Sequence, residues 1–312
     1  MNYKRLEIYV GWTCNQKCSY CMEYPNMEEV WDKKVSKYDI LKKLIKYKKK
    51  GYNHVTYLGG EPFIQAVFLD ALIIGKKLLY TILVTTNCTT LHLDSQASKF
   101  LPYIDELILS VEAIDKELQQ EISRTKVYVK WDKVFENIKK YWNGKYLKAN
   151  IVIIKDNLSE LDSIVKYLNI NGIKNIAITY PDIDLGYYGR EHTINKVAPL
   201  YSECVTKIID IVDYCKKNNI NLKLADFPFC VFPKHNINNY IELTDDYDYE
   251  TRIKIDHFEC IIDRGELNNS NEIPRERIWC TKCNGCKYKG KCWGASIDYG
   301  EIYGYDEINP II

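Results

Sequence analysis

Residues 6–21 read LEIYVGWTCNQKCSYC, an apolar strand that runs directly into a loop carrying Cys14, Cys18 and Cys21. The spacing C-x3-C-x2-C places three thiols on one short loop, where they can face a single metal group. A cubane iron–sulfur cluster normally takes four cysteine thiolates, so three ligands leave one iron open. The alternative is a structural zinc site whose fourth ligand comes from elsewhere in the chain. An open iron favours catalysis over simple electron storage.

A second apolar strand, residues 54–58, ends in the turn Gly59-Gly60-Glu61-Pro62. The carboxyl ends of strands in a barrel meet at one mouth, so this turn is expected beside the cysteine loop. Glycine lets a backbone approach a ligand closely because it has no Cβ. The Glu61 carboxylate can then accept a hydrogen bond from a ligand ammonium.

Short β-type runs alternate with amphipathic helical stretches along the chain, the pattern of a parallel sheet covered by helices. Strands are predicted at 6–10, 54–58, 81–85, 106–110, 149–154 and 175–180, and helices near 36–50, 63–79, 95–101, 131–143, 158–170 and 198–217. The pattern predicts an α/β fold with a partial (β/α)6 TIM-like barrel over residues 1–185. A linker loop and helix (186–225) and a cysteine-rich extension (226–312) are expected to follow it.

Composition narrows the classes of partner. The 312 residues carry 43 basic and 42 acidic side chains, a net charge of +1, so no strong field attracts nucleic acid. The sequence has no membrane-length apolar run and no apolar signal segment after Met1. We therefore expect a cytoplasmic protein without a membrane partner, in which the 12 cysteines hold metal or do redox work.

The cysteine triplet followed by Gly59-Gly60-Glu61-Pro62 resembles the radical S-adenosylmethionine (SAM) enzymes, over roughly residues 4–185. The resemblance implies that the three cysteines hold a [4Fe–4S] cluster whose open iron binds the amino and carboxylate groups of SAM. An electron from the cluster then splits SAM into methionine and a 5'-deoxyadenosyl radical, which takes a hydrogen atom from the substrate. An electron donor such as a flavodoxin or ferredoxin is implied as well.

The same resemblance implies further SAM contacts at the strand ends. Tyr20 is placed against the adenine, and Arg124 faces the SAM carboxylate, for which a guanidinium fork is well shaped. Other implied contacts are Gly59, Gly60, Glu61, Pro62, Thr85, Thr86, Asn87, Ser110 and Glu112, with Asn157 as a weaker match. Each polar residue, taken alone, also fits a helix cap or a turn.

The C-terminal extension resembles the Twitch/SPASM domains of radical SAM enzymes through Cys283-x2-Cys286-x5-Cys292 followed by Gly294. This implies a second, auxiliary [4Fe–4S] cluster. Cys230 is the preferred fourth ligand, with Cys260 and Cys280 as competing candidates. Six cysteines in this region favour one cluster, since the two-cluster form usually needs seven or eight. A zinc ribbon is the alternative.

Cysteines outside both sets divide into two groups. Cys88, Cys204 and Cys215 are expected to pack as small buried hydrophobes. Cys260 and Cys280 are candidate catalytic residues, because a thiol near the radical can return a hydrogen atom to a substrate carbon. The loop after the sixth predicted strand supplies substrate-contact candidates, Tyr187, Tyr188 and Arg190.

The width of a partial barrel and the auxiliary-cluster extension favour a ribosomally made peptide as substrate, modified by cross-linking, epimerisation or oxidation. The predicted barrel starts by residue 6, without a fused leader-recognition domain, so a separate leader-recognition protein is a possible partner. A small-molecule dehydrogenase or rearrangement enzyme is the second hypothesis. A non-catalytic iron–sulfur or zinc protein is the third.

Overall fold

The computed structural model of this chain describes residues 5–21, 33–181, 196–232, 258–260, 277–290, 292 and 294–312. Eight parallel strands form one sheet in the order β7-β6-β5-β4-β3-β2-β1-β8. The strands are β1 (Arg5–Tyr9), β2 (His54–Leu58), β3 (Thr81–Thr86), β4 (Glu106–Ser110), β5 (Tyr146–Val152), β6 (Asn175–Thr179), β7 (Asn221–Ala225) and β8 (Phe258–Cys260). An antiparallel pair, β9 (Arg277–Ile278) and β10 (Ala295–Ser296), forms a separate small sheet.

Helices connect the strands of the large sheet. They are α1 (Lys37–Lys49), α2 (Phe68–Lys77), α3 (Asp94–Phe100), α4 (Lys116–Ser123), α5 (Trp131–Tyr141), α6 (Leu161–Ile170), α7 (Tyr201–Lys217) and α8 (Ile297–Tyr303). Amphipathic spacing explains their packing: α5 buries Trp131, Val134, Phe135 and Ile138, which recur every three or four residues. In the part of the chain that is described, no helix is both long and apolar enough to cross a membrane.

Register brings apolar residues of neighbouring strands side by side in the core. Leu6 of β1 lies opposite Val55 of β2, and Ile8 lies opposite Tyr57. All four side chains are completely buried. Burying one such side chain contributes about 1.5–3 kcal/mol, so the strands form a rigid base and their carboxyl ends are fixed at one edge.

The predicted α/β fold is confirmed, and all six predicted strands form, with β5 placed three residues earlier than expected. The sheet also contains two strands that the pattern did not predict. β7 follows α7 and pairs with β6, so the parallel sheet continues beyond residue 185 to Ala225. At the other edge β8, from the C-terminal region, pairs with β1. Helix α4 is the helical stretch before Arg124, and its bounds were not predicted.

Aromatic packing joins the C-terminal residues to the end of the sheet. Tyr180 follows β6, Tyr201 begins α7 and Tyr299 lies in α8. The rings of Tyr180 and Tyr201 are 4.7 Å apart, and those of Tyr201 and Tyr299 are 4.2 Å apart. The Tyr201 backbone N–H also donates to the Tyr299 hydroxyl and to Glu307. Helix α8 is thereby fixed against β6 and α7.

Candidate active site

The cysteine loop follows β1 and its backbone docks on the end of α4. The backbone N–H of Lys17 donates to the Ser123 carbonyl at 2.9 Å, and that of Ser19 donates to the Ile122 carbonyl at 3.1 Å. Arg124 ends the helix with φ 50°, in the left-handed region, and its Nε donates to the Lys17 carbonyl at 2.6 Å. The Arg124 Nε thus contacts the cysteine loop, and the expected contact between the guanidinium and the SAM carboxylate stays a prediction.

The three thiols of this loop are half-buried and close enough to influence one another's pKa. Burial raises the pKa of Cys14 to about 12 and that of Cys18 well above its ordinary value. The Gln16 backbone N–H donates to Cys14 Sγ at 3.4 Å. Three thiols with a donor aimed at one sulfur suit a cluster, because iron displaces the thiol protons and N–H donors stabilise the thiolates.

The glycine turn packs directly against the cysteine loop. The Gly60 N–H donates to the Gly11 carbonyl at 3.1 Å, and the Glu61 N–H donates to the Thr13 carbonyl at 3.0 Å. A Cβ at Gly59 would lie 2.2 Å from the Gly11 carbonyl oxygen, and one at Gly60 would lie 2.3 Å from that of Thr13. These glycines therefore allow close approach between two protein loops, where we expected close approach to a ligand.

Glu61 is 1% exposed, and its carboxylate accepts three hydrogen bonds from the protein. The donors are the Thr86 hydroxyl at 2.7 Å, the Asn87 N–H at 2.7 Å and the Phe63 N–H at 3.1 Å. Burial raises the pKa of Glu61 to about 7, opposed by these hydrogen bonds. A carboxylate offers about four acceptor positions, so at most one is left for a ligand. The main role of Glu61 and Thr86 here is to hold the end of β3 against the glycine turn.

Asn87 makes a full set of side-chain hydrogen bonds to the protein. Its Nδ2 donates to Asn15 Oδ1 at 3.0 Å and to Cys14 Sγ at 3.8 Å. Its Oδ1 accepts from the Thr89 N–H at 3.1 Å and from the Thr89 hydroxyl at 2.7 Å. Since an amide has two donor hydrogens and two acceptor positions, these contacts within the protein can use all four. The expected contact of Asn87 with SAM stays a prediction.

An open cavity lies between the cysteine loop and the ends of β3 and β4. It brings together predicted site residues from distant parts of the chain: Cys18, Tyr20, Asn87, Ser110 and Glu112. Burial raises the pKa of Glu112 to about 7, although a hydrogen bond from Tyr20 opposes the shift. Glu112 Oε1 is buried and has no hydrogen-bond partner among the described residues. A ligand donor entering the cavity would satisfy it.

Asn157 supports this cavity from behind. Its side chain is completely buried and donates to the carbonyls of Glu112 at 3.1 Å and Val152 at 2.9 Å, while Oδ1 accepts from the Ile154 N–H. Asn157 is therefore a support for the ends of β4 and β5, and the structure assigns its amide to the backbone rather than to a ligand.

Some residues of the site have no sequence pattern that predicts them. Gln65, just after the 3-10 turn that starts at Pro62, donates to the Thr13 carbonyl at 2.6 Å and to the Glu61 carbonyl at 3.0 Å. Asn15 and Thr89 complete the hydrogen bonds around Asn87. The only sequence evidence for Asn15 and Thr89 is that they are polar residues next to predicted site residues, Asn15 within the cysteine loop and Thr89 just after Asn87.

A second cavity lies in the C-terminal region and is lined by four cysteines with mainly apolar neighbours. The four are Cys230, Cys283, Cys286 and Cys292. Cys292 Sγ accepts hydrogen bonds from the backbone N–H groups of Phe229 and Gly294, both at 3.3 Å. Four thiols around a cavity with N–H donors suit a second cluster. Within the described ranges, no three His, Cys, Asp or Glu side chains converge as ligands of one metal ion.

The remaining cysteines occupy different environments. Cys280 is buried beside this cavity, with its sulfur 3.8 Å from that of Cys283. For Cys260 the structure describes the backbone, which pairs with Tyr9 of β1; the hydrogen-donor roles of Cys260 and Cys280 stay predictions. Cys88, Cys204 and Cys215 are fully buried, which confirms their core assignment. Tyr187, Tyr188 and Arg190 lie outside the described residues.

Solved structures with a similar fold include two proteins crystallised with peptides. Streptococcus suis SuiB bound to its precursor peptide SuiA shares 23% identity and superposes with a TM-score of 0.58, over 80% of this chain and 55% of that one. The anSMEcpe protein with bound AdoMet and the Cp18Cys peptide shares 18% identity with a TM-score of 0.52, over 73% and 65% of the two chains.

Curated relatives are similar over part of their length. An S-adenosylmethionine-dependent nucleotide dehydratase from Flammeovirga pacifica is 27% identical over 161 residues, 47% of this chain and 52% of that protein. The Caenorhabditis elegans molybdenum cofactor biosynthesis protein moc-5 is 23% identical over 231 residues, 72% of this chain and 36% of that protein. The chain thus spans about half of the first relative and about a third of the second.

The family model described as the radical SAM superfamily matches residues 8–168, which begin in β1 and end in α6 and so include the cysteine loop, the glycine turn and the cavity beside them. That match covers more than half of the chain. This protein belongs to the radical SAM superfamily.

Proposed function

We propose that this chain binds a [4Fe–4S] cluster on Cys14, Cys18 and Cys21, binds SAM in the adjoining cavity, and modifies a peptide by radical chemistry. The observation that carries the proposal is the cavity that joins Cys18 of the cysteine loop to Tyr20, Ser110 and Glu112. A molecule bound in this cavity contacts Cys18, a proposed cluster ligand, and the polar side chains of Ser110 and Glu112 at the end of β4.

When bound, the cluster supplies the electron that cleaves SAM to methionine and a 5'-deoxyadenosyl radical, which removes a hydrogen atom from the substrate. The chain's own residues bind and orient the reactants. Tyr20 offers an aromatic face for the adenine, and the unpartnered Oε1 of Glu112 accepts a hydroxyl or ammonium donor. Gly59, Gly60, Glu61 and Pro62 hold the turn against the cysteine loop, while Arg124 fixes the loop's far side.

A peptide substrate is supported by the fold. Two structures of similar fold carry bound peptides, the precursor peptide SuiA in SuiB and the Cp18Cys peptide in anSMEcpe. We propose cross-linking, epimerisation or oxidation as the outcome, with a flavodoxin or ferredoxin as electron donor. A separate leader-recognition protein is a further expected partner.

The cysteine-lined cavity of the C-terminal region is the proposed auxiliary cluster site. Cys230, Cys283, Cys286 and Cys292 line it together, which favours Cys230 as the fourth ligand over Cys280. Cys280 instead contacts Cys283 from the side. The apolar lining excludes water, which protects a cluster and sets its potential.

A small-molecule substrate is the second candidate. The observation that favours it is the similarity to a nucleotide dehydratase. Both candidates share the SAM-cleaving step and differ in what enters the barrel mouth.

The test is anaerobic reconstitution with iron and sulfide, followed by incubation with SAM and dithionite. We expect about eight irons per chain, as two four-iron clusters require, and formation of 5'-deoxyadenosine. The variant with Cys14, Cys18 and Cys21 changed to alanine should lose about half of the iron and all deoxyadenosine. Cys204→Ala, a buried thiol of α7, is the matched control and should keep both. Deoxyadenosine formed by the triple variant would overturn the proposal.

A further inference from the structure

We propose that Asn87, locked in a ring of side chains with Asn15 and Thr89, raises the reduction potential of the SAM-binding cluster by donating a hydrogen bond to Cys14 Sγ. This inference rests on the proposed function, because it assumes that Cys14 holds a cluster. It gives Asn87 the role of a tuning and positioning residue that acts through Cys14.

The orientation of the Asn87 amide follows from a backbone group. The N–H of Thr89 can only donate, and it lies 3.1 Å from Asn87 Oδ1. That oxygen is therefore the acceptor, and the NH₂ group must point the other way. It points at Asn15 Oδ1, 3.0 Å away, and at Cys14 Sγ, 3.8 Å away.

The side-chain hydrogen bonds of the three residues close into a ring with one consistent direction. Asn87 Nδ2 donates to Asn15 Oδ1, Asn15 Nδ2 donates to Thr89 Oγ1 at 2.8 Å, and the Thr89 hydroxyl donates to Asn87 Oδ1 at 2.7 Å. No member can rotate without breaking two bonds. Thr89 is only 3% exposed, so water competes poorly for its hydroxyl.

The main chain of Asn87 is held as firmly as its side chain. Its N–H donates to the buried carboxylate of Glu61 at 2.7 Å. One hydrogen of the Asn87 amide is consequently held towards the Cys14 sulfur before any metal binds. Gln16 supplies a second donor to the same sulfur from its backbone.

A donor at this sulfur acts on the electron affinity of a bound cluster. Reduction adds one negative charge, which spreads onto the thiolate ligands, and hydrogen bonds to the sulfurs stabilise the reduced form. Removing the donor lowers the midpoint potential. A carboxylate in its place lowers it further, because it puts a negative charge beside the thiolate.

The experiment compares Asn87→Asp with wild type by EPR-monitored redox titration of the reconstituted full chain, following the signal that changes when SAM is added. Asn169→Asp, a charge-matched change on α6, is the control. We expect the ratio of reduced to oxidised cluster at a fixed potential to fall about tenfold in Asn87→Asp, a shift of about 59 mV for a one-electron couple. Iron content should match wild type, and Asn169→Asp should titrate like wild type.

A second pair of variants tests the ring itself. Thr89→Val removes the hydroxyl that orients the Asn87 amide, and we expect a smaller fall in midpoint potential than in Asn87→Asp. Thr89→Ser keeps the hydroxyl and should have the wild-type midpoint potential. If Asn87→Asp fails to hold a cluster, this pair decides. If Asn87→Asp holds a cluster whose midpoint potential equals that of wild type, the inference is overturned. If Asn87→Asp holds no cluster, a wild-type midpoint potential in Thr89→Val overturns it. The two proposals can fail separately. If wild type binds a cluster and forms deoxyadenosine but the variants have an unchanged midpoint potential, the tuning role is refuted and the proposed function stands.

Discussion

Gly60→Ala should separate the glycine turn from the cysteine loop. The added Cβ would lie 2.3 Å from the Thr13 carbonyl oxygen and 2.4 Å from that of Trp12, where ordinary contacts are 3.4–4 Å. The two backbones must therefore move apart by about 1 Å, since a shift of that size restores an ordinary contact. Gly60 has no positive φ, so the effect is steric and not conformational.

The magnitude follows from two contributions. Forcing an extra carbon into a packed region costs about 1–3 kcal/mol. The hydrogen bonds from Gly60 to Gly11 and from Glu61 to Thr13 would weaken, at about 0.5–1.5 kcal/mol each. We expect the free energy of unfolding of the metal-free protein to fall by about 2–6 kcal/mol, together with lower iron content after reconstitution.

The assays are urea denaturation of the metal-free protein and iron analysis of the reconstituted protein. Gly172→Ala is the matched control: it has φ +85° and open space around its Cβ position, so it tests left-handed backbone strain without a clash. That strain costs about 1–2 kcal/mol, and iron binding should be normal. If Gly60→Ala is no less stable than Gly172→Ala and binds as much iron, the two loops do not depend on this close contact.

Three further changes test other parts of the site. Asn157→Leu removes three hydrogen bonds behind the cavity and should lower the free energy of unfolding by about 2–4 kcal/mol in urea. Glu112 has its folded pKa raised from 4.5 to about 7, so its contribution to stability is full below pH 4.5 and is lost as pH rises through 7. Between about pH 4.5 and 8, the free energy of unfolding of the metal-free Glu112→Gln protein should therefore fall by about 3 kcal/mol less than that of wild type in urea titrations. Cys283→Ala combined with Cys286→Ala should remove about half of the iron and keep deoxyadenosine formation, since these thiols line the other cavity.

Each of these three expectations has a result that would contradict it. Asn221→Leu, at the exposed start of β7, should change stability by no more than about 0.5 kcal/mol; an Asn157→Leu protein as stable as that one would contradict the support role. An unchanged pH slope in Glu112→Gln would show that the carboxyl titrates as in water. Full iron content in the double cysteine variant would place the second cluster elsewhere.

The order of the elements was predictable because local pattern determines it. Strands such as His54–Leu58 are apolar runs bounded by turn residues, and they form where expected. β7 was missed because Asn221–Ala225 is short and buries only two apolar side chains, Leu222 and Leu224. The bounds of helix α4 were not predicted, because Lys116–Ser123 buries only Gln119, Ile122 and Ser123.

The site was predictable as a set of positions but not as a set of contacts. The cysteine spacing identified the loop, and the cavity gathers Tyr20, Ser110 and Glu112 as expected. The hydrogen-bond partner of each side chain depends on distances between strand ends, which the sequence does not give. The bonds from Thr86 to Glu61 and from Asn87 to Cys14 are examples. Gln65 and Thr89 act through bonds to residues that are distant or outside any motif, so no spacing could identify them.

The pairing of β1 with β8 has a consequence for biosynthesis. β2 can complete one edge of β1 soon after it is made, but the other edge waits for Phe258–Cys260. At 5–20 residues per second, the roughly 200 residues between Leu58 and Cys260 take about 10–40 s to translate. During that interval the strand that leads into the cysteine loop presents open backbone groups, which invite pairing with other chains. Slowing translation or supplying a chaperone should therefore affect the yield of this protein before any metal is inserted.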